Sequence, residues 1–410
     1  MNLYLLWANQ RRGPHYPDCY DPIVMDMIWD FYHTHEIHDL EYDPIKENSL
    51  FILEKNHLSE FFCNNTHYLE EPIRNCNNKK IIVLYHYKSF SAHLGIDSLN
   101  TDRHVLINKL NFQPKDIMYI VQLKSDIQVV KNVLGNDVVV TNFDKWLEEL
   151  NRYLMRNVLV HKKNYLTKNP NVEEKLFSLF IRRYEDIRLE VMLEFVTQNL
   201  LPDFHYTFAC RGGCNPDDLD VGRAIANYIN NLPERYLDYQ DKIRSWVQGI
   251  PYSVDSFETK IEAYDDLFTP KLSDYYNSSK INVVLETDFH QSSQTQSRFS
   301  ILTEKTYKAM FYKKPFILIA QPNTLQVLRD CGYKTFGHVI DESYDLIETV
   351  PERLRAISNE CLRIKNLGPS QLQSLLDSCQ ENIEHNYNLM LRESFRKIPD
   401  QFKIENFIKS

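Results

Sequence analysis

The chain has 410 residues, 43% of them apolar and 25% charged, with a net charge of −9 and only 10 glycines. That is long enough for two domains with separate cores. It argues against a protein whose main partner is duplex DNA, which needs a basic face, and the scarcity of glycine excludes a glycine-rich phosphate loop. The aromatic share is 12%, with 25 tyrosines, a composition that suits carbohydrate surfaces but equally suits a biased source.

From the amino terminus, Met1-Asn2-Leu3-Tyr4 lacks the basic-then-apolar pattern of a secretory signal. No run of about 18 apolar residues is present, so no membrane span is expected, and the expected location is the cytoplasm. Strands are predicted at Leu3–Ala8, Ser49–Leu53, Lys80–Tyr87, Ile117–Leu123 and Asp137–Thr141. Helices are predicted at Pro22–His33, His57–Cys63, Asp102–Leu110, Ser125–Leu134 and Asp144–Leu154. Short apolar strands alternating with helices predict an α/β unit with a parallel, doubly wound sheet over residues 1–160. Ligands of such sheets bind beyond the carboxyl ends of the strands. Asn9, Glu54, His86, Ser89 and Asn142 fall there. A general base is a carboxylate or a histidine, so Glu54 and His86 are the catalytic candidates, with His93 behind them. Polar residues also end strands in any α/β domain, which is the plainer reading. The spacing of His33, His35 and His38 does not place all three on one helix face, so a solvated loop is expected there and no metal site.

The eight cysteines are scattered; only Cys210 and Cys214 are close, and no second pair completes a zinc site. The polar stretch 161–173, with Asn169-Pro170-Asn171, reads as a linker. A second unit is expected over 174–370. It opens with a strand at Lys175–Phe180, the turn Arg182-Arg183-Tyr184, and an amphipathic helix Asp186–Leu200 with Arg188 in its first turn. The plainer reading of Arg188 is a surface ion pair, worth little. A strand follows at His205–Cys210. Asp218-Leu219-Asp220 is formally an Asp-x-Asp pair of the kind that holds a divalent cation. The helical pattern after it (Val221, Ile225, Tyr228, Ile229) makes it a helix start favoured by acids instead. Ile281–Thr287 is the next strand and ends on Glu286-Thr287.

Residues 300–345 read as helix, buried strand, helix, short strand, helix. Thr303 is a predicted N-cap, with Glu304 where the helix dipole favours an anion. Pro315 stops that helix, Phe316–Ala320 is a buried strand, and Gly332 sits at a helix C-cap. Glu304, Lys305 and Lys308 crowd one helix start. A carboxylate suits ribose hydroxyls, and cations at a helix start suit a diphosphate. The plainer reading is a capped surface helix with a Glu304–Lys308 pair worth a few tenths of a kcal/mol. Helices at Pro351–Asn366 and Gln371–Glu393 complete the prediction, with residues 371–410 as a crossing helix and tail.

The pattern Thr303-Glu304-Lys305, Lys308, Pro315-Phe316-Ile317, Gly332-Tyr333-Lys334-Thr335-Phe336 and Asp341-Glu342-Ser343-Tyr344-Asp345 resembles the donor-binding segment of GT-B glycosyltransferases. It is similar to α1,3-fucosyltransferases and exostosin-like enzymes. It is closer still to glycosyltransferase-like proteins of phages, giant viruses and bacteria. Tyr333 stands where that family has Phe, and Gln321 where Gly often follows the strand. The resemblance spans roughly residues 174 to 395. It implies two Rossmann-like domains facing a cleft, with a C-terminal helix crossing back. It implies transfer from a nucleotide-diphosphate sugar to a glycan or glycoconjugate, with no metal and no other cofactor. Arg188, with Arg183 as its neighbour, would contact the donor diphosphate, alongside Thr303, Lys305 and Lys308. Glu304 would hold the ribose, and Glu286 and Thr287 would also line the donor site. The alternatives are a nucleotide- or glycan-binding module without turnover, and transfer to DNA bases, which the acidic charge argues against.

Overall fold

A computed structural model describes residues 2–6, 37–38, 45–54, 67–84, 96–121, 126–142, 166–211, 221–250, 252, 270–286, 302–394 and 407. The chain forms two compact units. One comprises Met1–Lys145, Ser292–Phe299 and Arg396–Ser410, the other Trp146–Gln291 and Ser300–Phe395.

Among the described residues, the first unit is built on six strands: β1 Asn2–Leu6, β2 Ile37–His38, β3 Ser49–Glu54, β4 Lys80–Leu84, β5 Ile117–Val121 and β6 Val139–Asn142. Their order is β2-β1-β3-β4-β5-β6, and every pair is parallel. The described helices are α1 His67–Asn75, α2 Ile96–Arg103 and α3 Asp126–Leu134. Burial explains the parallel arrangement. Strands such as Ile117–Val121 are apolar along their whole length and buried throughout, as strands covered on both faces must be. Phe51, Ile81, Val83, Tyr119 and Val121 meet Leu99, Leu106, Val130 and Leu134 of the helices in one core. Each such side chain contributes about 1.5–3 kcal/mol when fully buried.

Two sequence expectations are corrected here, and one helix was not expected at all. Ile37–His38 is an edge strand beside β1, so His38 is not in a solvated loop. The helix expected from Asp102 starts earlier, at Ile96, and its last turn, His104–Lys109, is a π-turn. There Leu110 N–H donates to Val105 O at 2.9 Å. Helix α1 escaped prediction because Pro72 lies inside it; proline removes one helical donor and reads as a breaker. Lys79 closes the carboxyl end of α1, with its ammonium donating to Ile73 O (2.9 Å) and Arg74 O (2.6 Å). Phe407 belongs to the same unit: its carbonyl accepts from Lys80 Nζ, and its ring lies 5.2 Å from that ammonium. The helices expected at Pro22–His33, His57–Cys63 and Asp144–Leu154 lie outside the described residues.

The second unit carries β7 Lys175–Arg183, β8 Phe204–Arg211, β9 Ser279–Leu285 and β10 Phe316–Ile319, in the order β10-β9-β7-β8, again all parallel. Its helices are α4 Asp186–Thr197, α5 Val221–Asn230, α6 Gln240–Val247, α7 Pro270–Asn277, α8 Glu304–Phe311, α9 Thr324–Asp330, α10 Val350–Lys365, α11 Pro369–Ser378 and α12 Gln380–Ser394. The chain steps from β7 outward to β8, then returns to the other side of β7 for β9 and β10. Right-handed crossovers running in opposite directions lay α4 and α8 on opposite faces of the sheet. Accordingly α4 packs with α6 and α10, and α8 packs with β9 and α12. The strand order therefore reverses between β7 and β9. In open α/β sheets the ligand crevice opens at the carboxyl ends of the strands flanking such a reversal. The first sheet reverses likewise, between β1 and β3. Segment 166–174 is fastened to α7, with Asn169 Nδ2 donating to Asp274 Oδ2 at 2.8 Å. No helix among the described residues is long and apolar enough to cross a membrane.

Candidate functional site

The reversal in the second sheet brings the start of α4, after β7, and the start of α8, after β9, to one sheet edge. Residues Ser178 and Asn282 are in register across β7 and β9, so Glu286, just past β9, sits level with the end of β7.

Glu286 is 1% exposed, and its carboxylate faces the first turn of α8. Oε1 accepts from the Thr303 N–H at 3.0 Å and from the Thr306 hydroxyl. Oε2 accepts from the Thr303 hydroxyl at 2.6 Å. Thr303 is the N-cap of α8: its backbone is extended and its Oγ1 accepts from Lys305 N–H at 3.4 Å. The same Oγ1 accepts from the Lys305 ammonium at 3.1 Å. That ammonium also lies 3.5 Å from Glu304 Oε1. The Glu304 side chain keeps 15% of its surface exposed and that of Lys305 keeps 28%, while Lys308 is buried. Burial pushes the Glu304 carboxyl up, but Lys305, Lys308, its own N–H and the Thr303 hydroxyl together outweigh that and hold it below the usual carboxylate range.

On α4, Glu185 is the N-cap, with an extended backbone and no side-chain bond to the helix. Its side chain instead pairs with Arg188, Nε to Oε2 at 3.1 Å. Arg188 is buried, unlike the exposed surface pair that the plainer reading expects. Tyr184 donates to Asp186 Oδ1 at 2.6 Å, and burial together with that carboxylate raises its phenol pKa. The first turn of each helix leaves backbone N–H groups pointing along the axis, so both starts favour an anion.

Of the residues singled out from sequence, Arg188, Glu286, Thr303, Glu304 and Lys305 occupy this sheet edge and the two helix starts, whereas Lys308 lies buried in the last turn of α8. Arg183 is the last residue of β7 and stands at the same edge by its backbone. Glu54 is the last residue of β3, the strand that flanks β1 at the reversal of the first sheet. His86, Thr287, Asp218 and Asp220 lie outside the described residues. Among the described residues no group of three or more His, Cys, Asp or Glu side chains is arranged to hold a metal ion. Thr306 was not legible as a partner of Glu286, although its spacing of three from Thr303 puts both on one helix face.

The Asp341–Asp345 motif fastens the unit together. Glu342 accepts from Phe336 N–H (2.6 Å), Thr335 Oγ1 (2.8 Å) and Arg329 (3.4 Å). Tyr344 Oη accepts from Leu318 N–H of β10 at 3.2 Å. Asp345 Oδ2 accepts from Leu325 N–H of α9 at 3.1 Å. Burial raises the Asp345 carboxyl to about 6.

No protein-family model matches the chain, and no curated protein matches it. Among solved structures it is similar to a sucrose-phosphate synthase (tll1590) from Thermosynechococcus elongatus. The TM-score is 0.43 and the identity 13%, over 100% of this chain and 89% of that one. A likeness that low adds nothing to the topology already described.

Proposed function

We propose that the protein transfers a sugar from a nucleotide-diphosphate donor to a hydroxyl of a glycan or glycoconjugate. The observation that carries this reading is the meeting of two helix starts at the strand-order reversal of the second sheet. One brings Arg188; the other brings Glu304 and Lys305. Two doubly wound parallel sheets in one chain are also what the resemblance to GT-B enzymes implies.

The division of labour follows from charge. Departure of a nucleoside diphosphate builds negative charge on its phosphate oxygens, and Arg188 and Lys305 stabilise that charge in the transition state. Glu304, ionised below the usual range, accepts from ribose hydroxyls. Glu54 or His86 removes the proton of the acceptor hydroxyl. Cationic side chains and helix ends do the work of a divalent cation in this scheme.

A thermal-shift screen against UDP-, GDP-, dTDP- and CDP-sugars tests the proposal. A bound donor at a hundred times its dissociation constant stabilises by about 2.7 kcal/mol. For a unit of this size that raises Tm by roughly 5–10 °C. No shift with any of the four at millimolar concentration would overturn it.

A further inference from the structure

We propose that Glu286 is a positioning residue of this site, acting through Thr303 on Lys305 without touching the donor. The inference rests on the proposed function and deepens it, because it assigns the residue that fixes the diphosphate-facing ammonium.

The argument is one of hydrogen-bond polarity. A carboxylate can only accept. Glu286 therefore takes the hydroxyl hydrogens of both Thr303 (2.6 Å) and Thr306, together with the Thr303 N–H (3.0 Å). With its hydrogen committed to Glu286, Thr303 Oγ1 turns its lone pairs to Lys305. It accepts there from the backbone N–H at 3.4 Å and from the ammonium at 3.1 Å. The order Glu286, Thr303, Lys305 is thus directional. It places a mobile lysine against the N-cap of α8, where the helix dipole also favours an anion. Glu286, at 1% exposure, is beyond the reach of a nucleotide, whereas Lys305 keeps 28% of its side chain exposed. Exchanging Glu286 for Gln keeps the shape but lets the side chain donate. Thr303 Oγ1 then receives a hydrogen from Gln, and its own hydrogen opposes the lysine ammonium.

The test compares wild type with Glu286→Gln, Thr303→Val, Thr303→Ser and the Glu286→Gln/Thr303→Val double variant. Calorimetry measures affinity for UDP, GDP, dTDP and CDP, each against its own nucleoside. The readout is the ratio of diphosphate to nucleoside affinity, which a general loss of stability does not move. The ratio is expected to fall at least about tenfold in Glu286→Gln and in Thr303→Val, the size expected for a lost bond to a charged group. Nucleoside affinity stays unchanged, Thr303→Ser keeps the wild-type ratio, and the double variant is no worse than either single one because the three groups form one chain. A ratio unchanged in both single variants, with only Tm lowered, would overturn the inference while the site reading stands. So would equal loss of nucleoside and diphosphate affinity, the mark of direct contact. Should Glu286→Gln not fold, the contrast between Thr303→Val and Thr303→Ser decides. If wild type binds none of the four diphosphates, the site reading fails and the inference falls with it.

Discussion

At the scale of single residues, two carboxylates of the second unit show how surroundings set charge. Both are penalised by burial. Glu304 has two lysines and a helix start that outweigh that penalty and is held below its usual range, whereas for Asp345 the Leu325 and Thr324 N–H groups and the Arg329 cation only partly offset burial, to which Glu342 adds, and its carboxyl rises to about 6. Their roles separate accordingly. Glu304→Gln keeps shape and loses the charged acceptor, so nucleotide affinity should fall roughly tenfold or more, with some loss of Tm at neutral pH because the fold favours the ionised form; calorimetric titration with the nucleotide found in the screen checks the affinity. Because the folded pKa of Glu304 is depressed, its contribution is present above about pH 4.5 and is lost only as pH falls through its lower folded value. Asp345 runs the other way. Its folded pKa lies above its ordinary 3.8, so the stability it contributes is full below about pH 4 and is lost as pH rises through 6. The span corresponds to on the order of 3 kcal/mol. Denaturation of Asp345→Asn between pH 4 and pH 7 should show the variant gaining on wild type as pH rises; a constant difference would contradict the burial argument. Thr303 and its neighbours were legible in the sequence because a cap signature is local. The partners of Glu286 were not, since they lie 17 and 20 residues away.

At the scale of elements, the parallel strands were legible because strands buried on both faces read as continuous apolar runs. The departures share a cause: long-range side chains replaced local rules. Tyr333–Phe336 reads as a short strand, yet it is irregular. Asn386 holds both the N–H and the carbonyl of Lys334, at 2.8 and 2.7 Å, and Glu342 holds the Phe336 N–H, so no ladder is needed. The helix expected at 341–345 is one 3₁₀ turn, Ser343–Leu346. The single helix expected over Gln371–Glu393 is two, α11 and α12, joined at buried Cys379, where no glycine or proline announces the break. Gly332 does end α9 as expected, with φ +92, a conformation that glycine adopts without strain. Tyr344 is the clearest element-level device. Strand β10 is at the sheet edge, and the Tyr344 hydroxyl accepts from its Leu318 N–H. Tyr344→Phe should therefore cost about 1–3 kcal/mol by leaving that donor buried without this acceptor. Chemical denaturation measures it, and nucleotide affinity should not change, since the bond closes an edge remote from the β7–β9 reversal.

At the scale of the whole molecule, the charge balance is the physical constraint. The chain carries a net −9, and an acidic protein repels a diphosphate at long range, so the proposed function requires capture by local cations and oriented backbone donors. The second unit concentrates both at one sheet edge: Arg188 on α4, Lys305 on α8, and the two helix starts. Arg188 is held by Glu185 and Lys305 by Thr303 and Glu304, so in the proposed reaction neither would have to be ordered as the leaving group forms. Under the proposed function, a divalent cation would add charge that these groups are taken to supply. Donor hydrolysis or sugar transfer should consequently proceed in EDTA at a rate within about a factor of two of the untreated protein. Arg188→Ala should lower kcat by roughly 10²–10³, the cost of removing one preorganised donor from a developing oxyanion. The two measurements check each other. If EDTA abolished turnover and Mn²⁺ restored it, while Arg188→Ala cost little, the charge on the leaving group would be met by a metal ion. Asp218-Leu219-Asp220, read from sequence as the start of α5, would then be the pair to replace with asparagine.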